Sequence, residues 1–116
     1  MHNFKNLIIW QRSMSLVDKI YTFTEHFPNT EKYGIISQIQ RAGVSVPSNI
    51  AEGSAKTSNK DFARFLEIAL GSLFETETLL ILSYRRKYLD EKIFNETQNE
   101  ITELEKMMSK FLNNLK

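Results

Sequence analysis

Apolar residues recur along the chain at three- and four-residue steps, the spacing that puts side chains on one face of an α-helix. From about Phe4 to His26 one line runs through Leu7, Trp10, Met14, Val17, Tyr21 and Thr24, and Leu16, Ile20, Phe23 and Phe27 widen it. That width predicts a helix with a broad buried face. Pro28-Asn29-Thr30 ends it, because proline cannot continue the hydrogen-bond ladder. Asn29 or Thr30 is then placed to cap the next helix.

A second period runs from about Glu31 to Glu52 through Ile35/Ile36, Ile39, Ala42/Gly43, Val46 and Ile50. Pro47 lies inside it. Its ring collides with the carbonyl four residues back, which belongs to Gly43, and a residue without a side chain lets the backbone shift there. The expectation is a helix kinked near Pro47, with a break as the alternative. Gly53 can take a positive φ and close the helix.

Ser54 to Ser58 is a short polar link, and Ser58 followed by Asp61 resembles a helix start. The third segment, about Asn59 to Lys87, is apolar over most of its circumference. Phe62, Phe65, Leu66, Ala69, Leu73 and Leu80 form one stripe; Ile68, Leu70, Phe74, Leu79, Ile81, Leu82 and Tyr84 cover much of the rest. Such a helix must be buried on more than one side, which in a small domain predicts contacts beyond the monomer. Gly71, at mid-helix, is expected to let another helix come close. Asp90 can cap a fourth segment, about Glu91 to Leu115, with a seam of Ile93/Phe94, Ile101, Leu104, Met108, Phe111 and Leu115. No strand pattern, internal repeat or low-complexity tract is present. Residues 1–116 therefore read as one all-α domain, an antiparallel up-down four-helix bundle.

Composition narrows the function classes. There is no cysteine, so a disulfide scaffold, a thiolate zinc site and a cysteine nucleophile are excluded. Fifteen Lys and Arg against 14 Asp and Glu leave a net charge of +1, so only a local patch could attract nucleic acid or a membrane. The apolar runs Leu7 to Trp10 and Leu79 to Leu82 are far short of a membrane span, and a cytoplasmic protein without membrane association is expected.

The stretch Gln40-Arg41-Ala42-Gly43-Val44-Ser45-Val46-Pro47-Ser48-Asn49-Ile50-Ala51-Glu52-Gly53 resembles the central motif of the 23S rRNA intervening-sequence protein family, also called the four helix bundle protein family. Leu7-x-x-Trp10, Phe27-Pro28 and Gly71-Ser72-Leu73-x-Glu75-x-Glu77-Thr78 extend the resemblance over nearly the whole chain; the end of the fourth helix is generic. The resemblance implies an up-down bundle assembled as a ring, a homopentamer, and a bacterial source. Relatives include accessory proteins of diversity-generating retroelements, which bind nucleic acid and a reverse transcriptase. For most members the biochemical role is unknown.

Two sets of residues are candidates for chemistry. Arg41, Ser45, Asn49 and Glu52, at steps of four, four and three, share one helical face, where Glu75 and Thr78 could meet them. They read either as a polar site that grips a ligand or as a satisfied network that fixes helix register or joins protomers. The second reading is preferred, because interior polar groups must find partners; if Arg41 then pairs with Glu75 or Glu52 in a buried setting, its removal strands a charge. Lys56, Lys60 and Arg64 cluster at the start of the third helix, and Arg85, Arg86 and Lys87 end it. Either group could contact phosphates. Otherwise the first is a solvated surface and the second complements the helix dipole.

The acidic surface of the fourth helix, from Asp90 to Glu105, reads as a solvated face. His2 lies by a terminus expected to be loose, and neither it nor His26 has a Glu or His at metal-ligand spacing. No Gly-rich phosphate loop or acyl-transfer set is present. The expectation is a non-catalytic oligomer without cofactor or metal that binds RNA, DNA or a nucleoprotein partner. The alternative is a structural or protein-interaction ring with no nucleic-acid affinity.

Overall fold

Four helices carry the chain in a computed structural model that describes residues 2–116: α1 (Ile8–Thr24), α2 (Ile35–Ser54), α3 (Asn59–Arg85) and α4 (Glu91–Leu115). α1 packs on α2 and α4, α3 packs on α2 and α4, and the diagonal pairs do not meet. Neighbouring helices run in opposite directions. Gln40 donates to Thr24 while Gly43, further along α2, faces the earlier Ile20 on α1. Tyr84 stacks on Phe94 while the earlier Glu77 meets the later Gln98. This is the up-down bundle that the periodicity predicts, 44 × 24 × 20 Å.

α2, α3 and α4 send their stripes inward, but the first line read for α1 does not face the core: Met14 and Tyr21 are exposed, and Leu16, Ile20 and Phe23, which widened it, are buried instead. Leu16 and Ile20, Ile39, Val46 and Ile50, Phe62, Leu66, Leu73 and Leu80, and Ile101, Leu104 and Met108 are all nearly free of solvent. Truncating one of them, as in Leu73→Ala, costs about 2–5 kcal/mol. The buried hydroxyls of Ser13, Thr24, Thr76, Ser83 and Thr97 each donate to a carbonyl three or four residues back, which satisfies their protons within their own helices, and Thr24 also accepts from Gln40 of α2.

The caps read from sequence at Ser58 and Asp90 form: their side-chain oxygens accept from the Asp61 and Ile93 N–H groups at 3.1 and 2.8 Å. Other boundaries differ. Phe4–Asn6 is a 3₁₀ turn capped by Asn3, and Leu7 is extended, so α1 begins at Ile8 rather than Phe4. Asn29–Glu31 is likewise a 3₁₀ turn, and α2 starts only at Ile35, after Gly34. Neither Asn29 nor Thr30 caps it; Glu31 reaches forward and accepts the Ile35 N–H.

α2 runs through Pro47 without interruption, so the break expected as the alternative does not occur. Gly53 does not take a positive φ, and the helix continues to Ser54. Its lack of a side chain serves packing: a Cβ there would stand 2.7 Å from the Phe65 Cβ. Around Gly71, by contrast, a Cβ would meet nothing within 4 Å. The close approach expected there is not made within the chain.

Candidate nucleic-acid interface

The first cationic cluster is organised by an aromatic ring. Lys56 follows the end of α2, and Lys60 and Arg64 lie one turn apart at the start of α3. The Lys56 Nζ stands 5.0 Å from the Phe65 ring centre and the Arg64 guanidinium 5.7 Å from it, so two cations are gathered at one ring. Gly53 sets this up, because only a bare α2 backbone lets Phe65 pack so closely. Lys60 is exposed beside them.

The fold adds cations that no local spacing announces. The His2 N–H donates to the Ser54 carbonyl at 3.0 Å, and its ring packs 5.0 Å from Phe62 and 6.2 Å from Phe111. The N-terminal segment is thus docked at His2, contrary to the loose terminus expected from sequence. Asn6 to Ile9 share a cleft with Lys110, Phe111 and Asn114 near the end of α4. These contacts bring the N-terminal segment, the end of α2, the start of α3 and the end of α4 to one end of the bundle. Lys5 and Lys110 therefore join Lys56, Lys60 and Arg64 there, and Glu52 and Asp61 are the nearby carboxylates.

The second cluster sits at the opposite end in a different electrostatic setting. Arg85 and Lys87 share a cleft with Asp90 and Glu91, and Arg86 acts on the Glu31 carboxyl. That carboxyl is held below the usual range mainly by the Tyr88 hydroxyl, which donates to it at 2.8 Å, and then by the Ile35 N–H. None of the three cations is ion-paired among the described residues, and each has a carboxylate nearby.

The polar set on α2 is brought together in part. Asn49 donates to the Ser45 carbonyl and hydroxyl at 2.8 and 3.0 Å, and the Ser45 hydroxyl lies 2.9 Å from that of Ser72. Ser72, in the quoted Gly71-Ser72-Leu73 motif, completes the link to α3. Arg41 and Glu75 line one cleft with Ser45 and Ser72, but both are exposed and no ion pair joins them among the described residues. Glu52 is exposed, and the Thr78 hydroxyl donates to its own helix at the Phe74 carbonyl. Among the described residues no buried Arg41 pair forms within the chain, because the Arg41 side chain is exposed on α2.

Ion pairs form elsewhere, between α1 and α4: Arg12 with Glu103, and Lys19 with Glu100 at 2.8 Å. They satisfy part of the acidic surface of α4 that sequence assigned to solvent. No group of three or more His, Asp or Glu side chains that could hold a metal ion occurs among the described residues. No helix there is long and apolar enough to cross a membrane.

A family model described as 23S rRNA-intervening sequence protein matches residues 5–110. The chain is also similar to a crystal structure from Bacteroides thetaiotaomicron, of a protein with unknown function from the S23 ribosomal protein family. The two are 28% identical with a TM-score of 0.81, over 90% of this chain and 98% of that one. Comparison with curated proteins gives no match.

Proposed function

This chain belongs to the 23S rRNA-intervening sequence protein family, and on that premise we propose that it is a cytoplasmic, non-catalytic oligomer that binds nucleic acid or a nucleoprotein partner. The observation that carries this reading is the cationic end of the bundle. Lys56 and Arg64 are held over Phe65, Lys60 is free beside them, and Lys5 and Lys110 are near. The arrangement combines the two things a nucleic-acid strand recognises, fixed positive charge for phosphates and aromatic surface among it. A nearly neutral chain offers few such contacts by itself. Repeating the patch around an oligomer, five-fold as the resemblance implies, multiplies them on one strand.

Gel shifts with a structured RNA and a duplex DNA across a salt series test this. Each phosphate neutralised contributes about −0.9 to the slope of log affinity against log salt on duplex DNA and about −0.7 on single strands. Lys56→Ala, Lys60→Ala and Arg64→Ala combined should weaken binding and flatten the slope by about 2–3 for three lost contacts. The oligomer mass should be unchanged. Binding that the triple variant leaves intact would overturn the assignment. The exposed apolar residues of α3, Ile68 and Phe74 among them, favour a second reading, a protein-interaction ring without nucleic-acid affinity. No shift with either probe at low salt would select it.

A further inference from the structure

The large apolar side chains left exposed fall mainly on two surfaces. One is the outward ridge of α3: Ile68, Phe74, Ile81 and Leu82 are 38–50% exposed, and Gly71 lies between them. The other is the groove between α1 and α2, where exposed Met14, Tyr21 and Val44 border two adjoining clefts that also take in Trp10, Val17 and Pro47. Tyr33, 88% exposed, extends the groove at one end.

We infer that the α3 ridge of one copy docks head-to-tail into the α1–α2 groove of the next, so that the second copy is the occupant of both surfaces. This rests on the oligomer in the proposed function and names the surfaces that build it.

Charge, glycine placement and length point to this mating. The charged side chains lining the groove are Lys32 and Arg41; the exposed Asp18 of α1 is not part of its lining. The exposed charges on the ridge between Arg64 and Arg85 are the carboxylates Glu67 and Glu75; Glu75 already shares a cleft with Arg41 of its own chain, which leaves Glu67 to meet the groove of the next copy. Ridge on groove therefore sets a carboxylate near cations. Self-pairing does the reverse: an antiparallel α3-on-α3 contact centred on Gly71 would bring Glu67 and Glu75 together across the two-fold axis, and groove on groove would oppose Arg41 and Lys32. Like charges so placed disfavour both two-fold arrangements.

Gly71 weakens helix propensity at mid-helix, and nothing inside the chain approaches it. It leaves a flat place on the ridge, flanked by Ile68 and Phe74, where another backbone can come near. At about 1.5 Å per residue, Ile68 to Leu82 spans about 21 Å and Trp10 to Tyr21 about 16 Å, so ridge and groove are of similar length. A contact between two unlike surfaces leaves one of each free at the ends of any pair. It therefore continues into a ring or a filament.

Two variants and their mixture test the inference. Phe74→Glu spoils the ridge and Val44→Glu spoils the groove; both residues are at the surface, and circular dichroism confirms that each variant keeps its helices. By light scattering each variant alone should run at the chain mass of 13.6 kDa. An equimolar mixture should form a species of twice that mass, because the intact groove of one variant accepts the intact ridge of the other and assembly then stops. A mixture that stays at the chain mass would overturn the head-to-tail mating. So would an assembly of the wild-type chain that either variant leaves intact. A wild-type chain that itself runs at 13.6 kDa would instead overturn the oligomer reading on which this inference rests.

Discussion

Glu105 on α4 is buried against Glu77 on α3. The Glu105 Oε2 is buried without a hydrogen-bond partner among the described residues, and Glu77 accepts from the Gln98 amide at 2.9 Å. Burial, then the hydrogen bond and charge of Glu77, push the Glu105 carboxyl from the ordinary 4.5 up to about 7. Ionised, it would leave a buried acceptor unsatisfied and face a second carboxylate. Protonated, it ties the two helices together.

Stability should therefore fall as pH rises from about 4.5 to about 7, because over that window the folded chain binds this proton more tightly than the unfolded chain does. Solvent reaches part of the side chain and screens the effect. Glu105→Gln supplies a donor that does not ionise. Above about pH 7 it should be the more stable protein, by an amount on the order of 1 kcal/mol. Thermal melts at several pH values check this; a wild-type midpoint that does not fall through the window would refute it. Glu31 works in the other direction. Its lowered carboxyl adds stability that is lost as pH falls below the ordinary carboxylate range.

Two glycines should respond oppositely to alanine. At Gly53 the added Cβ would stand 2.7 Å from the Phe65 Cβ and 2.9 Å from the Phe62 ring, so the α2–α3 packing must open at a cost of about 1–3 kcal/mol. At Gly71 nothing is met, and alanine should gain roughly 0.8–1 kcal/mol of helix propensity. Urea melts in the Phe74→Glu background, where assembly is removed, give the comparison. In the wild-type background Gly71→Ala should weaken the assembly while strengthening the chain.

The outcomes at these positions show what a linear sequence carries. The number of helices, the inward seams of α2, α3 and α4 and the Ser58 and Asp90 caps depend on residues three or four apart and were legible; the inward face of α1 was not, because apolar residues cover both its core face and its groove face. The start of α2 was not, because Glu31 caps from its side chain and displaces the stronger local cap signals of Asn29 and Thr30. Gly53 was misread for a similar reason: its requirement comes from Phe65, on another helix. In the candidate interface, Lys56, Lys60 and Arg64 were visible by spacing. Their union with Lys5 and Lys110 exists only once the N-terminal segment docks against Ser54, Phe62 and Phe111. The pairing of Glu77 with Glu105 is likewise tertiary.

Arg41 carries the sharpest revision. A buried ion pair would make its removal severe, but the side chain is exposed and unpaired among the described residues. Arg41→Ala should therefore change the stability of the unassembled chain by no more than about 0.5 kcal/mol. Denaturant melts in the Phe74→Glu background measure this. A loss of several kcal/mol would restore the buried pair. A loss of assembly at unchanged chain stability would place Arg41 at the contact between copies.

Among the described residues Lys87 is the one non-glycine residue with positive φ, at 64°. It closes α3 by donating its N–H to the Tyr84 carbonyl, while the Tyr88 N–H reaches back to the Ser83 carbonyl. Those paired bonds define a helix end that glycine usually occupies. A side chain in this conformation costs roughly 1–2 kcal/mol. Glycine gives back about 0.5–1 kcal/mol of that through its greater freedom when unfolded. Lys87→Gly should therefore stabilise the protein by up to about 1 kcal/mol, or raise the melting midpoint by about 4 °C. The same variant separates the two cationic clusters. If phosphates are held by Lys56, Lys60 and Arg64, removing the Lys87 charge should leave the salt dependence of a gel shift unchanged. A flatter slope would move phosphate contacts to the Arg85–Lys87 end. A less stable protein would show that the lysine side chain contributes more at this end than its backbone conformation costs.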